Sequence, residues 1–250
     1  MRVERRVITI GDYPVHYKVA GEIGEPVILV HGLSGSTHWW MENVEALSSR
    51  HRVYLVDLPG FGAMRRSPLR QGVRAATDWL IRWVEALRLG PAHLVGHSMG
   101  GHICLRIAAE RPDLVNRLAL VAPAVWFVRG SLLARISPLM QETRRMSPRF
   151  MATLSYDALR AGPLTLLRSA RDLLREEVAR DLTAIQAPTL LVWGEHDPIV
   201  PVSVGYELRQ LIPQARLLVL KDASHVPMFH DARRFNTALL QFLRGDTVGV

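Results

Sequence analysis

Disulfides, membrane-spanning segments and an export signal are not indicated by this 250-residue sequence. Its lone cysteine, Cys104, rules out an internal disulfide. Its apolar runs, such as those at residues 27–30 and 190–193, fall far short of the ~20 residues that span a bilayer, so we expect no membrane-spanning helix. The chain starts with charged residues, without an apolar segment or a small-residue cleavage site. From these absences we expect a cytoplasmic protein.

Lysine is almost absent, because 29 of the 31 basic residues are arginine and only Lys18 and Lys221 are lysine. The formal net charge of +8 would suit a nucleic acid or an anionic membrane surface as a partner. The arginines are, however, spread over the whole chain, and no nucleic-acid-binding motif accompanies them. We therefore expect a solvated, arginine-rich surface and no nucleic-acid partner.

The length and the 48% of hydrophobic residues allow one sizeable core with room for an inserted subdomain. Apolar runs typical of strands alternate with stretches of helical spacing, which indicates a parallel sheet with helices on both faces. We predict an α/β fold with a mostly parallel sheet of about eight strands. The predicted strands lie at residues 6–10, 16–20, 27–30, 52–57, in the run after Pro91, and at 117–121, 189–194 and 216–220, with a hairpin turn at 11–14.

Residues 125–187 interrupt this alternation and show no strand pattern. Helices are predicted in them at residues 131–140, 148–159, 164–174 and 176–182, with breaks at Ser137-Pro138, Ser147-Pro148 and Gly162-Pro163. Elsewhere, helices are predicted at residues 39–47, 73–89, 99–110 and 232–243. We expect residues 1–124 and 188–250 to form the α/β core, and residues 125–187 to form a small helical unit after the sixth strand.

The segment Gly96-His97-Ser98-Met99-Gly100 has the form Gly-x-Ser-x-Gly. A buried strand is predicted before it and a helix after it, so Ser98 falls at the turn between them. Such a turn strains the serine backbone and needs nearly side-chain-free residues two positions before and after, which Gly96 and Gly100 supply. The turn also leaves the N–H of Met99, at a helix N-terminus, free to bind an anion.

These features resemble the α/β-hydrolase family, whose nucleophile elbow is similar to the Gly-His-Ser-Met-Gly-Gly of this chain. A serine hydroxyl needs a base to take its proton and a carboxylate to orient that base. In the family these residues follow in the order Ser, Asp or Glu, His. The resemblance implies Ser98 as nucleophile, Asp197 in Gly-Glu-His-Asp-Pro as acid, and His225 in Ala-Ser-His-Val-Pro as base. Glu195 is the alternative acid.

The loop His31-Gly32-Leu33-Ser34 directly follows an apolar strand. By itself it indicates either a tight turn or a functional loop. In the resembled family this loop supplies one of two oxyanion amides, which by position would be the N–H of Leu33, with Met99 as the other donor. Asp57, at the end of a further strand, is expected to hydrogen-bond the turn that follows it rather than to act as the acid.

The remaining histidines do not form a metal-binding pattern. His93 and His97 are four residues apart on an extended strand, a rise of about 13 Å, which is too far to share an ion. His102 is expected to be a satisfied core residue, and His196 an exposed one. Because no metal or nucleotide motif is found, we expect no cofactor.

A serine at the elbow implies acyl transfer to water through an acyl-Ser98 intermediate. Haloalkane dehalogenases and epoxide hydrolases carry an aspartate at this place and are therefore disfavoured. We expect a hydrolase that acts on small-molecule carboxylic esters or thioesters. The alternatives are a carbon–carbon bond hydrolase of vinylogous diketones, which uses the same triad, and a non-catalytic receptor-like binding protein. The sequence sets no oligomeric state.

The helical insertion resembles the family's cap, which would lie over the serine. Its apolar side chains would line a pocket for a medium-sized hydrophobic acyl or aryl group. The substrate-binding candidates are Trp126, Phe127, Met140 and Phe150. Three arginines, Arg144, Arg145 and Arg149, cluster at a helix break, as either a solvated surface or a basic rim for an anionic substrate or acidic carrier protein.

Overall fold

The computed structural model describes residues 2–67, 72–125, 136–176 and 182–246. Within these ranges eight strands form one sheet: β1 (Val3–Ile10), β2 (Tyr13–Ala20), β3 (Pro26–Val30), β4 (Arg52–Val56), β5 (Ala92–His97), β6 (Val115–Val121), β7 (Thr189–Gly194) and β8 (Ala215–Leu220). Their order across the sheet is β1-β2-β4-β3-β5-β6-β7-β8. Neighbours from β4 to β8 are parallel, whereas β2 is antiparallel to β1 and β4. The predicted mostly parallel sheet is confirmed.

Helices flank the sheet on both faces. In the described part of the chain they are α1 (Met41–Ser48), α2 (Val73–Ala86), α3 (Met99–Glu110), α4 (Ile136–Arg145), α5 (Pro148–Ala161), α6 (Pro163–Arg175), α7 (Val202–Leu211), α8 (Pro227–His230) and α9 (Ala232–Arg244). None of the described helices is long and apolar enough to cross a membrane. The predicted helix at residues 39–47 is divided, because Thr37–Trp40 forms a 3₁₀ turn before α1.

Two buried apolar clusters lie on opposite faces of the sheet. Ile28 and Val30 of β3 belong to a cluster with α2 and α3, whereas Val27 and Leu29 belong to a cluster with α1 and α9. Successive side chains of a strand point to opposite faces, so a strand covered on both sides must be apolar throughout. All four of these side chains are fully buried, which explains the continuous apolar run in the sequence.

The first hairpin differs from its prediction at the turn. The sequence predicts a turn at residues 11–14, but Tyr13 and Pro14 already belong to β2, and Gly11, with φ of 61°, lies in a shorter turn. Pro14 is tolerated in the strand because pairing between β2 and β4 begins only at Tyr17. The start of β2 is therefore paired with β1 on one side only. No strand on its other side requires a hydrogen bond from the N–H that proline lacks.

The helices α4, α5 and α6 lie between β6 and β7, where the sequence places its helical insertion. The predicted break at Ser137-Pro138 is wrong, because Pro138 lies in the first turn of α4, where a missing N–H costs no intrahelical hydrogen bond. The break at Ser147-Pro148 is present, and the Ser147 hydroxyl caps α5 by accepting from the Phe150 N–H at 3.3 Å. Most of the predicted helix at residues 176–182 lies outside the described residues.

Candidate active site

Ser98 lies between β5, which ends at His97, and α3, which begins at Met99. Its backbone has φ of 51° and ψ of −116°, a strained conformation for any residue with a side chain. A Cβ atom at Gly96 would approach the Gly100 carbonyl oxygen to 2.4 Å, so a side chain there would push the strand and helix apart. The turn predicted from the Gly-x-Ser-x-Gly pattern is present, and close packing of its backbone requires both glycines.

Hydrogen bonds to the next strand and its loop hold the strained serine in place. The Ser98 N–H donates to the Val121 carbonyl oxygen at 2.9 Å, and the Ser98 carbonyl oxygen accepts from the Ala124 N–H at 2.9 Å. Val121 is the last residue of β6, so the serine is fixed at the carboxyl end of the sheet. These contacts determine the backbone conformation that the serine side chain alone would not favour.

His225 and Asp197 meet in the loops that follow β8 and β7. The Nδ1 atom of the buried His225 ring lies 2.7 Å from Oδ2 of Asp197, whose side chain is also buried. The other carboxylate oxygen, Oδ1, accepts from the backbone N–H groups of Ile199 and Val200 at 2.8 and 2.9 Å. The carboxylate is thereby fixed in one orientation, with Oδ2 directed at the imidazole.

Glu195, the alternative acid, lies elsewhere. Its side chain is 44% exposed, and it accepts from the backbone N–H of Asp222 at 3.2 Å. Because the Asp197 side chain is the one bonded to His225, the geometry separates the two candidate carboxylates clearly.

The pKa of the His225 imidazole is raised above its ordinary value of 6.5. Burial lowers it, but the negative charge of Asp197, the hydrogen bond between the two side chains and the charge of Glu142 together outweigh burial. Glu142 belongs to α4, so the inserted helices contribute to the electrostatics at this histidine. The proximity of Glu142 to His225 is not apparent from their spacing in the sequence.

His97, next to the serine, is a site residue that the sequence pattern did not single out beyond excluding it as a metal ligand. Its Nε2 lies 2.9 Å from the His225 carbonyl oxygen, and the two rings are 4.8 Å apart. Burial and the charge of His225 hold the pKa of His97 well below its ordinary value. The neutral ring can therefore donate from Nε2 and hold the backbone of His225.

The loop after β3 passes directly against the serine. A Cβ atom at Gly32 would lie 3.1 Å from Cβ of Ser98, and the Gly35 N–H closes a turn onto the Gly32 carbonyl oxygen at 3.1 Å. Leu33 follows Gly32 in this turn and lines the same cavity as Ser98. Met99 begins α3, so its N–H has no partner within the helix. Both proposed amide donors are thus close to the serine.

His31 and Asp57 support this loop from beneath. His31 is fully buried, and burial lowers its pKa. Its neutral ring accepts from the Leu58 N–H at Nε2 (3.0 Å) and donates from Nδ1 to the Gly32 carbonyl oxygen (2.8 Å). The Asp57 carboxylate accepts from the backbone N–H groups of Thr37 and Ala63 at 2.6 and 2.8 Å. Asp57 therefore holds turns together, as the sequence indicates.

A cavity of about 260 Å³ opens onto Ser98 and His225, and its walls are mostly apolar. Among the described residues, the insertion contributes Leu139, Met146, Phe150, Leu154, Leu173 and Leu174 to these walls. The loop after β3 and the turn after β7 contribute Leu33 and Ile199. The cavity can therefore hold an apolar group beside the serine.

The four predicted substrate-binding residues fare differently. Phe150 lines the cavity, whereas Trp126 and Phe127 lie outside the described residues. Met140 is not among the described residues that line the cavity, although at 53% it is no more exposed than Leu139, which does line it. In α4 the neighbouring Leu139 borders the cavity, and the next side chain is rotated by about 100° around the helix axis.

The three clustered arginines do not line this cavity. Arg144 and Arg145 are exposed at the end of α4. Arg149 is 73% exposed, and its guanidinium lies 2.6 Å from the Glu42 carboxylate and over the Phe229 ring. These arginines therefore form an exposed surface, in which Arg149 is paired with Glu42, and not a wall of the cavity.

His93 and His102 have structural partners. His93 lies 3.0 Å from the Glu25 carboxylate, and the buried His102 bonds the Ala124 carbonyl oxygen at 3.0 Å, while burial lowers its pKa to about 4. In the described part of the chain, the three side chains of Glu195, His196 and Asp222 come close enough to share an ion. All three are exposed, a common arrangement without a metal, and we assign none to them.

A mostly parallel eight-stranded sheet, with a serine at a strand-to-helix turn and an Asp-bonded histidine lining the same cavity, is typical of the class of α/β hydrolases. A profile of the Alpha/beta hydrolase family matches residues 27–238. The chain belongs to this family.

Three known proteins illustrate the relationship. A 2-hydroxy-6-oxononadienedioate/2-hydroxy-6-oxononatrienedioate hydrolase from Burkholderia vietnamiensis is 32% identical, over 92% of this chain and 91% of the relative. A pimeloyl-[acyl-carrier protein] methyl ester esterase from Aeromonas hydrophila is 31% identical, over 88% and 96%. A thermophilic esterase from Thermogutta terrifontis superposes with a TM-score of 0.82 and 26% identity, over 97% and 98%. The family and these relatives identify the chain as a hydrolase.

Proposed function

We propose that this protein hydrolyses carboxylic esters or thioesters through an acyl-serine intermediate, with Ser98 as nucleophile, His225 as base and Asp197 as orienting acid. The observation that carries the proposal is the 2.7 Å contact between His225 Nδ1 and Asp197 Oδ2 beside the cavity that Ser98 also lines. Nucleophilic acyl transfer requires a serine hydroxyl and an oriented imidazole that can accept its proton. Both line the same cavity here.

The reaction begins when Ser98 Oγ attacks the acyl carbon and Nε2 of His225 takes the hydroxyl proton. Asp197 stabilises the resulting imidazolium and keeps the remaining proton on Nδ1. The N–H groups of Leu33 and Met99 bind the oxygen of the tetrahedral intermediate. His225 then protonates the leaving group, and a water molecule activated by the same base releases the acid and restores the serine.

The cavity supports a hydrophobic acyl or aryl substrate group of medium size. It measures about 260 Å³, and its described walls are formed mainly by apolar side chains, among them five leucines, Met146 and Phe150. None of its described lining residues is arginine or lysine. We propose that residues 125–187 act as the cap and that Phe150 is its substrate-contacting aromatic residue, together with Trp126 and Phe127.

A carbon–carbon bond hydrolase is the second candidate. It is favoured by the 32% identity to the 2-hydroxy-6-oxononadienedioate/2-hydroxy-6-oxononatrienedioate hydrolase, which acts on a dicarboxylate by its name. A dicarboxylate is best bound by cationic side chains, and the described cavity walls contain no arginine or lysine. A neutral ester therefore fits this cavity better than a dianion.

The discriminating experiment compares purified protein on two substrate panels. One panel contains aryl esters and thioesters of increasing acyl length, and the other contains vinylogous diketones with and without carboxylates. We expect a burst and steady turnover of the esters, with kcat/KM rising with acyl length up to the capacity of the cavity. Turnover of the diketones alone would establish the second candidate, and binding without turnover would indicate a receptor-like protein.

The pH dependence follows from the electrostatics of His225. Because its pKa is raised above 6.5, the ring stays protonated, and unable to accept the Ser98 proton, up to a higher pH than a free imidazole. We expect kcat/KM for a slow ester to rise with pH through an apparent pKa above 6.5. The measurement is a profile from about pH 5 to about pH 9 under conditions where the chemical step limits. A flat profile would contradict His225 as the base.

The oxyanion donors can be tested at Leu33 without disturbing the fold. Leu33 is the first central residue of the turn from Gly32 to Gly35, a position where proline is well accepted. Leu33→Pro removes the N–H and is expected to lower kcat by about a hundred-fold or more. Leu33→Ala keeps the N–H and serves as the matched control, with a much smaller loss. Equal activity of the two folded variants would place the oxyanion donor elsewhere.

A further inference from the structure

Two buried serine–carboxyl hydrogen bonds join the inserted helices to the core. In the first, the Ser224 hydroxyl donates to Oε2 of Glu142, which lies in α4. In the second, the Ser36 hydroxyl donates to Oδ2 of Asp157, which lies in α5, at 2.8 Å. Both acids are buried, with 0% and 2% of their surface exposed, and both serines are buried as well.

The two serines belong to the two loops that the proposed mechanism uses. Ser224 immediately precedes His225, the proposed base, and its hydroxyl also lies 3.3 Å from the His196 carbonyl oxygen in the loop of Asp197. Ser36 belongs to the loop of Leu33, the proposed oxyanion donor, and its hydroxyl accepts from the His38 N–H at 3.2 Å. Each inserted acid therefore contacts one catalytic loop at a serine hydroxyl, and Asp157 also lies 3.6 Å from Nδ1 of His38 in its loop.

Burying these acids is costly, which makes simple adhesion a poor explanation for them. Burial raises the pKa of the Glu142 carboxyl, against the opposing influence of the Ser224 hydrogen bond. Apolar side chains of the same size would attach the helices to the core without this desolvation cost. A hydrogen bond adds what an apolar contact lacks, a fixed direction and distance between two backbones.

We propose that Glu142 and Asp157 are positioning residues for the acyl transfer inferred above, on which this inference rests. When the inserted helices are seated on the core, Glu142 holds the His225 loop, and Asp157 holds the Leu33 loop, each at the correct distance from Ser98. The insertion thus does two things at once, since it walls the cavity and completes the catalytic geometry. Neither acid lines the cavity, so each is placed to act on the loop it contacts rather than on the substrate.

Misplacing a catalytic group by about 1 Å can cost about a hundred-fold in rate. We therefore expect Glu142→Ala and Asp157→Ala to lower kcat for an aryl ester by about ten- to a hundred-fold with little change in KM. Glu142→Gln and Asp157→Asn keep an oxygen acceptor of the same size and are expected to restore most of the activity. A purely structural role would not predict a lower kcat at an unchanged KM in the alanine variants. It would also not predict that the Gln and Asn variants regain activity.

Glu176→Gln is the matched control. Glu176 lies at the end of α6, and its carboxylate contacts the Arg106 guanidinium of α3 at 3.4 Å, so it joins the insertion to the core away from both catalytic loops. We expect this variant to keep the kcat of the wild type. If the alanine variants do not fold, Ser224→Ala and Ser36→Ala remove the same hydrogen bonds from the core side and are read in the same way.

A second readout separates this inference from the proposed function. The rate at which a phosphonylating probe labels Ser98 depends on the base and the oxyanion amides but not on the natural substrate. Slower labelling of the alanine variants, restored by Gln and Asn, supports the positioning role even if the wild type does not hydrolyse esters, a result that would refute only the proposed function. Unchanged labelling and kcat, or a change in KM alone, would overturn the inference.

Discussion

Replacing Ser98 by alanine is expected to lower the turnover of an ester substrate by about a million-fold, while leaving the thermal unfolding midpoint close to that of the wild type. The hydroxyl is the proposed nucleophile, and the variant has no hydroxyl at the elbow to form the acyl intermediate. Alanine keeps the Cβ atom and thus the strained backbone, so the stability of the fold is expected to change little. Steady-state kinetics and mass spectrometry of the acyl-enzyme are the measurements.

A companion variant distinguishes the chemistry of the serine from its backbone. Ser98→Gly should be equally inactive, yet the free energy of unfolding should rise by about 1 kcal/mol or more, because glycine adopts a φ of 51° without steric strain. If purified Ser98→Ala retained more than about a tenth of the wild-type activity, acyl transfer through this residue would be refuted.

Asp197→Asn should lower turnover by about ten-thousand-fold in a protein that still folds. Asparagine can keep its amide oxygen at the position of Oδ1, where it accepts the N–H groups of Ile199 and Val200. Its NH₂ group then faces Nδ1 of His225, which must become an acceptor, so the ring proton moves to Nε2. A ring protonated at Nε2 cannot take the proton of Ser98.

Glu195→Gln is the control for this experiment, because Glu195 is two residues away in sequence but exposed and not bonded to His225. We expect this variant to remain close to wild type. A dead Glu195→Gln enzyme beside an active Asp197→Asn enzyme would reassign the acid.

The elbow and the loops around it could be predicted because their signals are local. Gly96 is required by the close approach of Gly100, four residues later, and a buried parallel strand leaves a continuous apolar run such as that at residues 27–30. Strand ends in a parallel sheet share one edge, so placing Asp197 and His225 after strands was enough to bring them together.

The cavity walls and their supports could not be predicted in the same way. Whether Leu139 or Met140 faces the cavity depends on where α4 begins, and Pro138 entered the helix where its sequence suggested a break. The contacts of Glu142 and Asp157 join residues 82 and 121 positions apart. Nothing in local spacing reports such pairs, since each acid alone resembles an ordinary polar residue of a helix surface.

The crossover between β6 and β7 has a consequence for how such a protein could acquire new substrates. Val121 and Val192 pair as parallel neighbours, so the chain must cross the sheet there whatever the intervening length, and loop-closure entropy grows only slowly with that length. A segment transplanted from a relative could therefore be accommodated by the sheet. To yield an active chimera, however, the transplanted segment would have to place acids opposite Ser36 and Ser224. A change of substrate by exchange of this segment therefore requires these two acids as well as the residues that line the pocket.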